Sequence, residues 1–310
     1  MADRFAIGLD LGGTDLKAAL VAEDGLIARF LRLPTRAAES AEAPLEAIAQ
    51  AVAELRGRDA QAVACIGLGA PGAIHPADGA LVGSTPHLPH WDSLPLREQV
   101  SARLGCPVSL DNDANLAALA EHRAGAARGA RVSVTVTVGT GVGGGIVVDG
   151  HLLRGAFGGA GEIGHLPLGS GEWPCRCGVE CCVEPEMSGS GLVRAARAAG
   201  LEVEDAGAVF AAAAAGDTRA ARLVARMADR LGAALASAIN LLNPEVVVIG
   251  GGVARAGEAL LGPVRAAVER YALASHRRSL SIVPAALGER AGVVGAGLLA
   301  WEERRARAGV

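Results

Sequence analysis

Apolar runs separated by short glycine turns predict strands at the start of the chain. Phe5 to Leu11 and Leu16 to Ala22 are such runs, and Gly12-Gly13-Thr14 forms the turn between them. Asp24-Gly25 is a further hairpin signal, and the apolar stretch Leu26 to Leu33 follows it. The chain therefore begins with β-structure that these turns fold into hairpins.

A helical period and a further strand come next. Between Ala43 and Arg56 the apolar side chains recur at the spacing of one helix face, at Leu45, Ile48, Val52 and Leu55. Ala62 to Leu68 is then an apolar run, and it ends in Gly69-Ala70-Pro71-Gly72. We expect a helix over the first segment and a strand over the second.

The middle of the chain repeats the pattern of its beginning. Val132 to Val138 alternates as a strand does, Gly139 to Gly145 is rich in glycine, Ile146 to Val148 is apolar, and Asp149-Gly150 turns the chain. This recurring order of strand, glycine turn, strand and Asp-Gly turn indicates two related α/β halves that face one cleft. Unrelated hairpins can produce the same pattern, so the duplication is a hypothesis.

The second half is predicted to be more helical. Asp217 can cap a long helix that runs to about Leu242, with an apolar stripe formed by Leu223, Met227, Leu231, Leu235 and Ile239. The pattern then predicts a strand over Val246 to Ile249, a helix over Leu260 to Leu273, a strand over Leu280 to Val283 and a helix from Ala291. Strands that alternate with helices in this way are typical of an α/β fold.

Composition and charge narrow the class of protein. The sequence has 310 residues, of which 51% are hydrophobic and 20% charged, as in a soluble globular protein of about two domains. A net charge of −4 argues against a nucleic-acid partner. The first residues do not resemble a signal peptide, and no apolar stretch approaches the ~20 residues of a membrane helix. We therefore expect a cytoplasmic protein without a membrane partner. Lys17 is the only lysine, which we attribute to genomic base composition.

Three glycine-rich turns each follow an apolar strand and form a candidate phosphate site. Glycine lets backbone N–H groups approach an anion closely, so such turns can hold phosphates. The turns do not match the P-loop or the dinucleotide-binding pattern, and each one alone is explained as well by a tight hairpin. Together they favour a nucleotide cleft, and the candidate residues are Gly12, Gly13, Thr14, Gly139, Thr140, Gly141, Gly250, Gly251 and Gly252.

Two acidic positions are candidates for catalysis. Asp10, on the strand before the first turn, is placed to hold Mg²⁺, although it could equally cap the turn. The polar cluster Leu110 to Asn115 lies between an apolar stretch and a helix that begins near Ala114. Asp113 or Asn112 can cap that helix, or Asp113 can accept a proton from a substrate hydroxyl. The residues alone favour the cap.

A cluster of cysteines beside a histidine predicts a metal site. Cys175, Cys177, Cys181 and Cys182 lie in one short segment, ten residues after His165. Thiolates and imidazole are the usual tetrahedral ligands of zinc, and three cysteines with the histidine complete a closed set of four. A closed set has no open position, so the zinc is expected to be structural. The alternative is that these thiols are free or oxidised.

With these segments in place, the chain resembles the ROK family (repressor, open reading frame, kinase) from about Phe5 to Leu299, and it looks most similar to the bacterial glucokinases of that family. The similar segments, in chain order, are a first phosphate motif at Leu9 to Thr14, a catalytic segment at Asn112 to Asn115, a second phosphate motif at Val138 to Gly145, and a sugar-and-zinc signature at Gly161 to His165 and Cys175 to Glu184. The last of these is highly specific, whereas the glycine turns alone are not.

The resemblance implies an actin-like α/β fold of the hexokinase/ribonuclease H type, a two-domain ATPase with a cleft between the domains and a structural zinc site. The small N-terminal domain would comprise residues 1–112 together with a returning C-terminal helix at 292–310. The larger domain, with the zinc loop, would comprise residues 113–291. ROK kinases are usually dimers or tetramers, so the resemblance also implies a homodimer or homotetramer.

The resemblance also assigns roles to residues. ATP and Mg²⁺ would be the cofactors, Asp113 the general base, and the Gly250 turn would lie under adenosine. The zinc ligands would be His165, Cys175, Cys177 and Cys182. The residues expected to contact sugar hydroxyls are Gly72, Asn112, Asp113, Glu162, His165 and Glu184. The implied reaction is ATP-dependent phosphorylation of a hexose, most readily glucose to glucose 6-phosphate.

Three departures from the family pattern bear on these roles. Asp15 stands where the family often has lysine, which puts a phosphate contact there in question. His87 to Trp91 replaces a common Asn-Leu-Pro-Gly-Trp segment near the sugar pocket. Cys181 stands where glycine normally precedes the last zinc ligand, so a positive φ there would carry a backbone cost.

Other functions remain open at this point. N-acetylmannosamine, N-acetylglucosamine, fructose or allose could replace glucose, and polyphosphate could replace ATP as donor. Some ROK members are transcriptional regulators with an N-terminal helix-turn-helix, but here the first strand begins by Phe5. An actin-like ATPase without sugar chemistry is a further alternative. The segment from Glu162 to Glu184 argues against it.

Overall fold

The computed structural model describes residues 5–57 and 63–309, so Ala62, the predicted first residue of a strand, lies outside the described residues. The strands are β1 Phe5–Leu11, β2 Asp15–Val21, β3 Ile27–Pro34, β4 Val63–Ala70, β5 Ala73–Ile74, β6 Leu81–Val82, β7 Ser84–Thr85, β8 Leu88–Asp92, β9 Val108–Asn112, β10 Val132–Val138, β11 Val142–Val148, β12 His151–Leu152, β13 Val246–Gly250 and β14 Ser281–Pro284. The helices are α1 Ala43–Arg56, α2 Leu96–Leu104, α3 Asp113–Ala124, α4 Glu184–Met187, α5 Gly189–Ala198, α6 Ala206–Ala214, α7 Thr218–Leu242, α8 Glu258–Tyr271 and α9 Ala291–Ala308.

The chain divides into two compact units. The first comprises the described residues of Met1–Ala124, His151–Ala160 and Arg290–Val310, and the second comprises Gly125–Gly150 and Gly161–Glu289. These limits differ from the domain ranges predicted from the sequence, because α3 and the segment His151–Ala160 contact the first unit. The domain limits from the sequence therefore stay a prediction, with residues 1–112 and 292–310 in the small domain and residues 113–291 in the larger one.

The first unit is built on a mixed sheet with the strand order β3-β2-β1-β4-β9. The β1, β2 and β3 strands are antiparallel neighbours, whereas β4 is parallel to both β1 and β9. Because parallel strands end at the same edge of a sheet, the residues at the carboxyl ends of β1, β4 and β9 are neighbours. Asp10, Gly69 and Asp111 lie side by side in this register.

Helix α9 packs directly against this sheet. A Cβ atom on Gly8 of β1 would overlap the backbone oxygen of Val293, and one on Gly67 of β4 would overlap that of Ala296. Only glycine therefore allows the helix backbone to lie on the strand backbone at these two places. The structure thus returns the last described helix to the first sheet, in the position that the family resemblance implied.

The second unit repeats the arrangement of a hairpin followed by parallel strands. The β10 and β11 strands form an antiparallel hairpin, and β13 and then β14 add in parallel beside β10. The long helix α7 supplies much of the core, and its buried side chains include the predicted Met227, Leu231, Leu235 and Ile239. Asp217 caps this helix through its carboxylate, which accepts from the backbone N–H of Ala220. Both units therefore have the mixed α/β organisation that the sequence predicts.

Helices α2, α4, α5 and α6 and the short strands β5 to β8 have no counterpart in the sequence prediction. The short strands pair over only a few residues, which is too little for a period to be recognised. Within the described residues, no helix is both long enough and apolar enough to span a membrane.

Candidate active site

Asp10 lies near the carboxyl end of the central strand β1, next to the first glycine turn. Its Oδ2 lies 3.2 Å from Nζ of Lys17, which faces it across the β1–β2 hairpin. Both side chains are partly buried, so the ion pair is shielded from much of the solvent. Sequence reasoning did not assign a site role to Lys17, although its being the only lysine was a possible signal. The proposed role of Asp10 in holding Mg²⁺ stays a prediction.

The first glycine turn, Gly12-Gly13-Thr14, is held by backbone hydrogen bonds. The N–H of Gly12 donates to the oxygen of Asp15 at 2.9 Å, and the N–H of Thr35 donates to the oxygen of Thr14 at 2.8 Å. A Cβ on Gly13 would lie 2.8 Å from the backbone oxygen of His87, so the neighbouring chain approaches the turn closely. Backbone hydrogen bonds therefore fix the shape of this turn.

Oδ1 of Asp113 accepts from the backbone N–H of Ala114 at 2.8 Å, but Asn112 provides the wider side-chain cap of helix α3. Its Oδ1 accepts from the backbone N–H groups of Ala114 at 2.9 Å and Asn115 at 3.1 Å. Its Nδ2 donates to the backbone oxygen of Gly72 at 3.0 Å. The structure thus brings together Gly72, Asn112 and Asp113, three of the residues expected to contact sugar. Asp113, as the first residue of α3, is not needed as the cap of this helix.

In the second unit, the second and third glycine turns line one cavity of about 970 Å³. Gly139 and Thr140 come from the β10–β11 turn and Gly252 from the turn after β13. The backbone N–H of Gly189, at the start of α5, donates to the oxygen of Gly139 at 2.8 Å. A helix N-terminus beside a glycine turn presents several N–H groups and a positive dipole end, which favours a phosphate group.

Sequence reasoning missed most of the side chains in this cavity. Its apolar walls are formed by Val193, Ala206, Phe210, Val253 and Ala256, and its charged groups by Arg194, Arg197, Glu204, Asp205 and Arg255. Most of these residues belong to α5, to α6 or to the turn between them, which the sequence prediction did not include. Val253, Arg255 and Ala256 instead follow the third glycine turn. The small residues Ser188 to Gly191, a few residues after the sugar-and-zinc signature, were the available signal for this wall.

The predicted metal ligands lie together. The candidate ligand atoms of His165, Cys175, Cys177 and Cys182 are all within 4.8 Å of one another. The sulfur atoms of Cys177 and Cys182 are 3.4 Å apart, and Nδ1 of His165 is 3.6 Å from the sulfur of Cys175. Zn–S bonds of about 2.3 Å in a tetrahedron separate two sulfur ligands by about 3.8 Å, so this arrangement fits zinc.

Burial affects the thiols of this cluster unequally. Burial, with added effects of Cys177 and Cys175, raises the pKa of Cys182 to about 12. Burial also raises the pKa of Cys175. Burial opposes the shift at Cys177, but the hydrogen bond from the N–H of Val179 and the bonds from the other two thiols lower its pKa. A cation at the centre would favour the thiolate form of all three.

Cys181 lies outside this cluster of ligands. Its φ is 57°, in the left-handed region that favours glycine, and its side chain is exposed. The next residue, Cys182, is buried and turns its sulfur toward Cys177. The structure therefore shows at Cys181 the positive φ for which glycine would be the better residue.

The sugar-and-zinc signature connects the Cys/His cluster to the second glycine turn. Nε2 of His165 lies 3.7 Å from Oε2 of Glu162, on the side of the ring opposite the cysteines. Burial raises the pKa of Glu162. The nearby His165 opposes this shift, and the negative charge of Glu184 adds to it. Oε2 of Glu184 accepts from the backbone N–H of Val142 at 2.9 Å. Glu162, His165 and Glu184 are thus brought together beside the turn from Gly139 to Gly145.

Comparison with known proteins identifies the family. Residues 6–303 match the ROK family. The chain belongs to the ROK family. The glucokinase of Thermotoga maritima is 37% identical over 304 residues, which are 94% of this chain and 95% of that protein. The N-acetylmannosamine kinase of Citrobacter koseri is 39% identical over 305 residues, covering 96% of this chain and 99% of that protein.

The fold is also that of solved ROK proteins. The crystal structure of a ROK family glucokinase from Streptomyces griseus, in complex with glucose and AMPPNP, superimposes with a TM-score of 0.83 and 34% sequence identity. The superposition covers 96% of this chain and 99% of that one. The mixed α/β sheets of the two units agree with the fold of these ROK sugar kinases.

Proposed function

We propose that this protein is an ATP-dependent sugar kinase that phosphorylates a hexose, with glucose as the preferred acceptor. The hydrogen bond between Glu184 and the N–H of Val142 is the observation that carries this proposal. Glu184 belongs to the sugar signature and Val142 to the second phosphate turn, so a sugar-binding carboxylate contacts a phosphate-binding turn within one unit. A kinase requires this proximity of acceptor and donor sites.

The cavity in the second unit supports a nucleotide as the phosphate donor. Its apolar wall of Val193, Phe210 and Val253 suits an adenine base, and the glycine turns with the start of α5 suit its phosphates. A linear polyphosphate has no apolar part that such a wall would bind. ATP is therefore the proposed donor.

Asp113 is the proposed catalytic base. It accepts the proton of the sugar's primary hydroxyl as that oxygen forms a bond to the γ-phosphorus of ATP. The bond between the γ-phosphorus and the bridging oxygen breaks, and ADP leaves with the electron pair. The backbone N–H groups of the turns at Gly12 to Thr14 and Gly139 to Gly141 stabilise the charge on the phosphate oxygens. Gly72, Asn112, Glu162, His165 and Glu184 orient the sugar hydroxyls.

Two metals belong to this proposal. Asp10 offers the oxygen ligand that Mg²⁺ prefers, and bound Mg²⁺ would neutralise charge on the donor phosphates. His165, Cys175, Cys177 and Cys182 would hold a structural zinc ion, which their spacing and donor atoms fit. Nδ1 of His165 would face the zinc, while Nε2 stays directed toward Glu162. These two contacts would fix the orientation of the imidazole ring, with Nε2 on the side of the proposed sugar site. We further propose that the enzyme works in the cytoplasm as a homodimer or homotetramer.

An N-acetylmannosamine kinase is the second candidate, because the relative from Citrobacter koseri is as similar as the glucokinases. A coupled assay of ADP release over glucose, N-acetylmannosamine, N-acetylglucosamine, fructose and allose tests the acceptor. We expect the highest kcat/KM for glucose. A clear preference for an N-acetyl sugar would reassign the substrate, and no turnover of any hexose would contradict the kinase. The same panel with polyphosphate in place of ATP tests the donor.

A further inference from the structure

A buried carboxylate lies directly before the catalytic segment and has no role in the proposed reaction. The side chain of Asp111, in β9, is only 3% exposed. Its Oδ1 accepts from the backbone N–H of Asn112 at 2.8 Å and from Nδ2 of Asn115 at 2.9 Å. Its Oδ2 accepts from Nε of Arg154 at 2.6 Å. A buried carboxylate is costly unless it is paired and hydrogen-bonded, and Arg154 is the charged partner of Asp111 at this place.

The contacts of Asp111 lead to the residues proposed to bind sugar. Asp111 holds the backbone of Asn112, and the side chain of Asn112 in turn bonds Gly72 and the first N–H groups of α3. Asp113 lies between Asn112 and those N–H groups. A shift of the Asp111 carboxylate would therefore move Asn112 and, with it, the position of the catalytic base.

Asn115 is the second point at which Asp111 acts on helix α3. Its side chain is buried, and its Oδ1 has no hydrogen-bond partner within the described part of the chain. The bond from its Nδ2 to Asp111 therefore sets the orientation of the amide. Asp111 thus holds the first turn of α3 on both sides of Asp113, through Asn112 and through Asn115.

Arg154 reaches Asp111 from a distant part of the sequence. It belongs to the segment His151–Ala160, which is counted with the first unit although its neighbours in sequence on both sides belong to the second. The backbone N–H of Ala160 donates to the oxygen of Arg154 at 3.1 Å, which closes this segment into a loop. The loop ends directly before Gly161, where the sugar-and-zinc signature begins. The ion pair therefore attaches this loop to the strand that carries the catalytic segment.

We propose that Arg154 and Asp111 form a positioning pair for phosphoryl transfer. Arg154 orients the Asp111 carboxylate, and Asp111 fixes Asn112 and Asn115 so that Asp113 and Gly72 meet the sugar in the productive geometry. This inference rests on the proposed sugar kinase function. It predicts that loss of the pair affects the sugar and the chemical step, and leaves ATP binding to the turns of the second unit unchanged.

The test compares Asp111→Asn, Arg154→Met and Arg154→Lys with the wild-type protein in glucose kinase assays, with rates expressed per folded molecule. Misplacement of reacting groups by about 1 Å costs on the order of 10²-fold, so we expect kcat/KM for glucose to fall about 10- to 100-fold in Asp111→Asn and Arg154→Met. The KM for ATP should stay within about twofold. Arg154→Lys keeps a positive charge and should lie between wild type and Arg154→Met.

A double variant and a control separate positioning from stability. Because both residues act through one contact, the double variant Asp111→Asn/Arg154→Met should lose about as much kcat/KM as either single variant. Arg123→Met is the matched control: Arg123 lines the same cavity of about 540 Å³ as Arg154 but pairs with Glu302 at 2.8 Å. It should leave the kinetic constants within about twofold.

The outcomes decide between the possibilities. If Arg154→Met does not fold, Asp111→Asn still tests the pair. The amide oxygen of the new asparagine can accept the hydrogen bonds that Oδ1 of Asp111 accepts, and no unpaired carboxylate is left buried. Folded variants with kcat/KM for glucose within twofold of wild type would overturn the positioning role. A loss of Vmax that only follows the folded fraction, with both KM values unchanged, would also overturn it. A wild-type protein without hexose kinase activity would instead refute the proposed function, and this inference with it.

Discussion

The ammonium group of Lys17 lies 3.2 Å from the carboxylate of Asp10, on the facing strand of the hairpin that ends in the first glycine turn. Lys17 is the only lysine in the sequence. The proposed Mg²⁺ ligand and the only side-chain amine of the protein are therefore direct neighbours.

This pairing makes Lys17 a chemical probe of the proposed phosphate site at the first glycine turn. We expect Mg²⁺ and ATP together to slow the reaction of Lys17 with an amine-reactive reagent, because phosphates at the turn would pair with or cover its amine. Mass spectrometry of the peptide that contains Lys17 measures the rate, and the α-amino group serves as an internal control. Equal rates with and without nucleotide would contradict the placement of ATP beside this turn.

The proposed catalytic role of Asp113 predicts a loss of turnover without a loss of structure. Asp113→Asn keeps the shape of the side chain but removes its basicity, so kcat should fall about 10²- to 10⁴-fold. Sugar binding and the melting temperature should change little, because Asn112 provides the side-chain cap of α3. Asp24→Asn, at an exposed hairpin turn, is the control. Near wild-type turnover in Asp113→Asn would show that another group accepts the proton.

The two adjacent cysteines should differ in metal binding. Cys182→Ala removes one of four clustered ligands, so the purified variant should lose zinc, and its KM for sugar should rise as Glu162, His165 and Glu184 lose their common support. Cys181→Gly should retain zinc and gain about 1 kcal/mol of stability, because glycine adopts a φ of 57° without strain. Zinc content and thermal melts of both variants measure this. Zinc kept in Cys182→Ala and lost in Cys181→Gly would reverse the assignment.

Glu186 should stabilise the loop that carries the Cys/His cluster, and it should do so in a pH-dependent way. Its side chain is 4% exposed, and it accepts hydrogen bonds from the N–H of Ser170 and from Arg226 and Arg230. Burial raises the pKa of Glu186, but these donors outweigh it and the pKa lies below the ordinary value. The stabilisation is therefore present above the unfolded-state pKa of about 4.3 and is lost as the pH falls through the lower folded-state value.

Glu186→Gln should accordingly lower the free energy of unfolding by roughly 2 kcal/mol at pH 7, and by less near pH 3. Denaturant titrations at both pH values measure the difference. Glu172→Gln is the matched control, since Glu172 bonds the same Arg226 from an exposed position and should contribute less than about 1 kcal/mol. A deficit of Glu186→Gln that is equal at both pH values would contradict the ionic origin.

The elements with long regular periods were predictable from the sequence. The bounds of α1 and the end of α7 agree with the prediction, because an apolar stripe over several turns is a local property of the sequence. The glycine turns and the cysteine cluster were predictable for a similar reason, since their residue types restrict the structure strongly. At the start of α3 the sequence left Asn112 and Asp113 as possible caps. In the structure both side chains accept from the N–H of Ala114, and Asn112 also accepts from that of Asn115.

The residues that sequence reasoning missed act through contacts between distant segments. Lys17 faces Asp10 only because of the register of β1 and β2. Arg154 reaches Asp111 from a loop elsewhere in the sequence, and Glu186 meets Arg226 and Arg230 on the long helix α7. No local pattern encodes such pairs, because each depends on how whole elements pack. A charged residue in the sequence gives no sign of which partner it will meet.

The close packing of α9 against Gly8 and Gly67 has a consequence for the synthesis of the protein. A ribosome releases the strands of the first sheet early, but the helix that covers them leaves the exit tunnel only after the second unit has been translated. Until then, the apolar faces of β1 and β4 lack the helix that shields them in the native protein. The nascent first unit therefore stays incomplete through most of translation, with part of its apolar sheet uncovered until the last helix emerges.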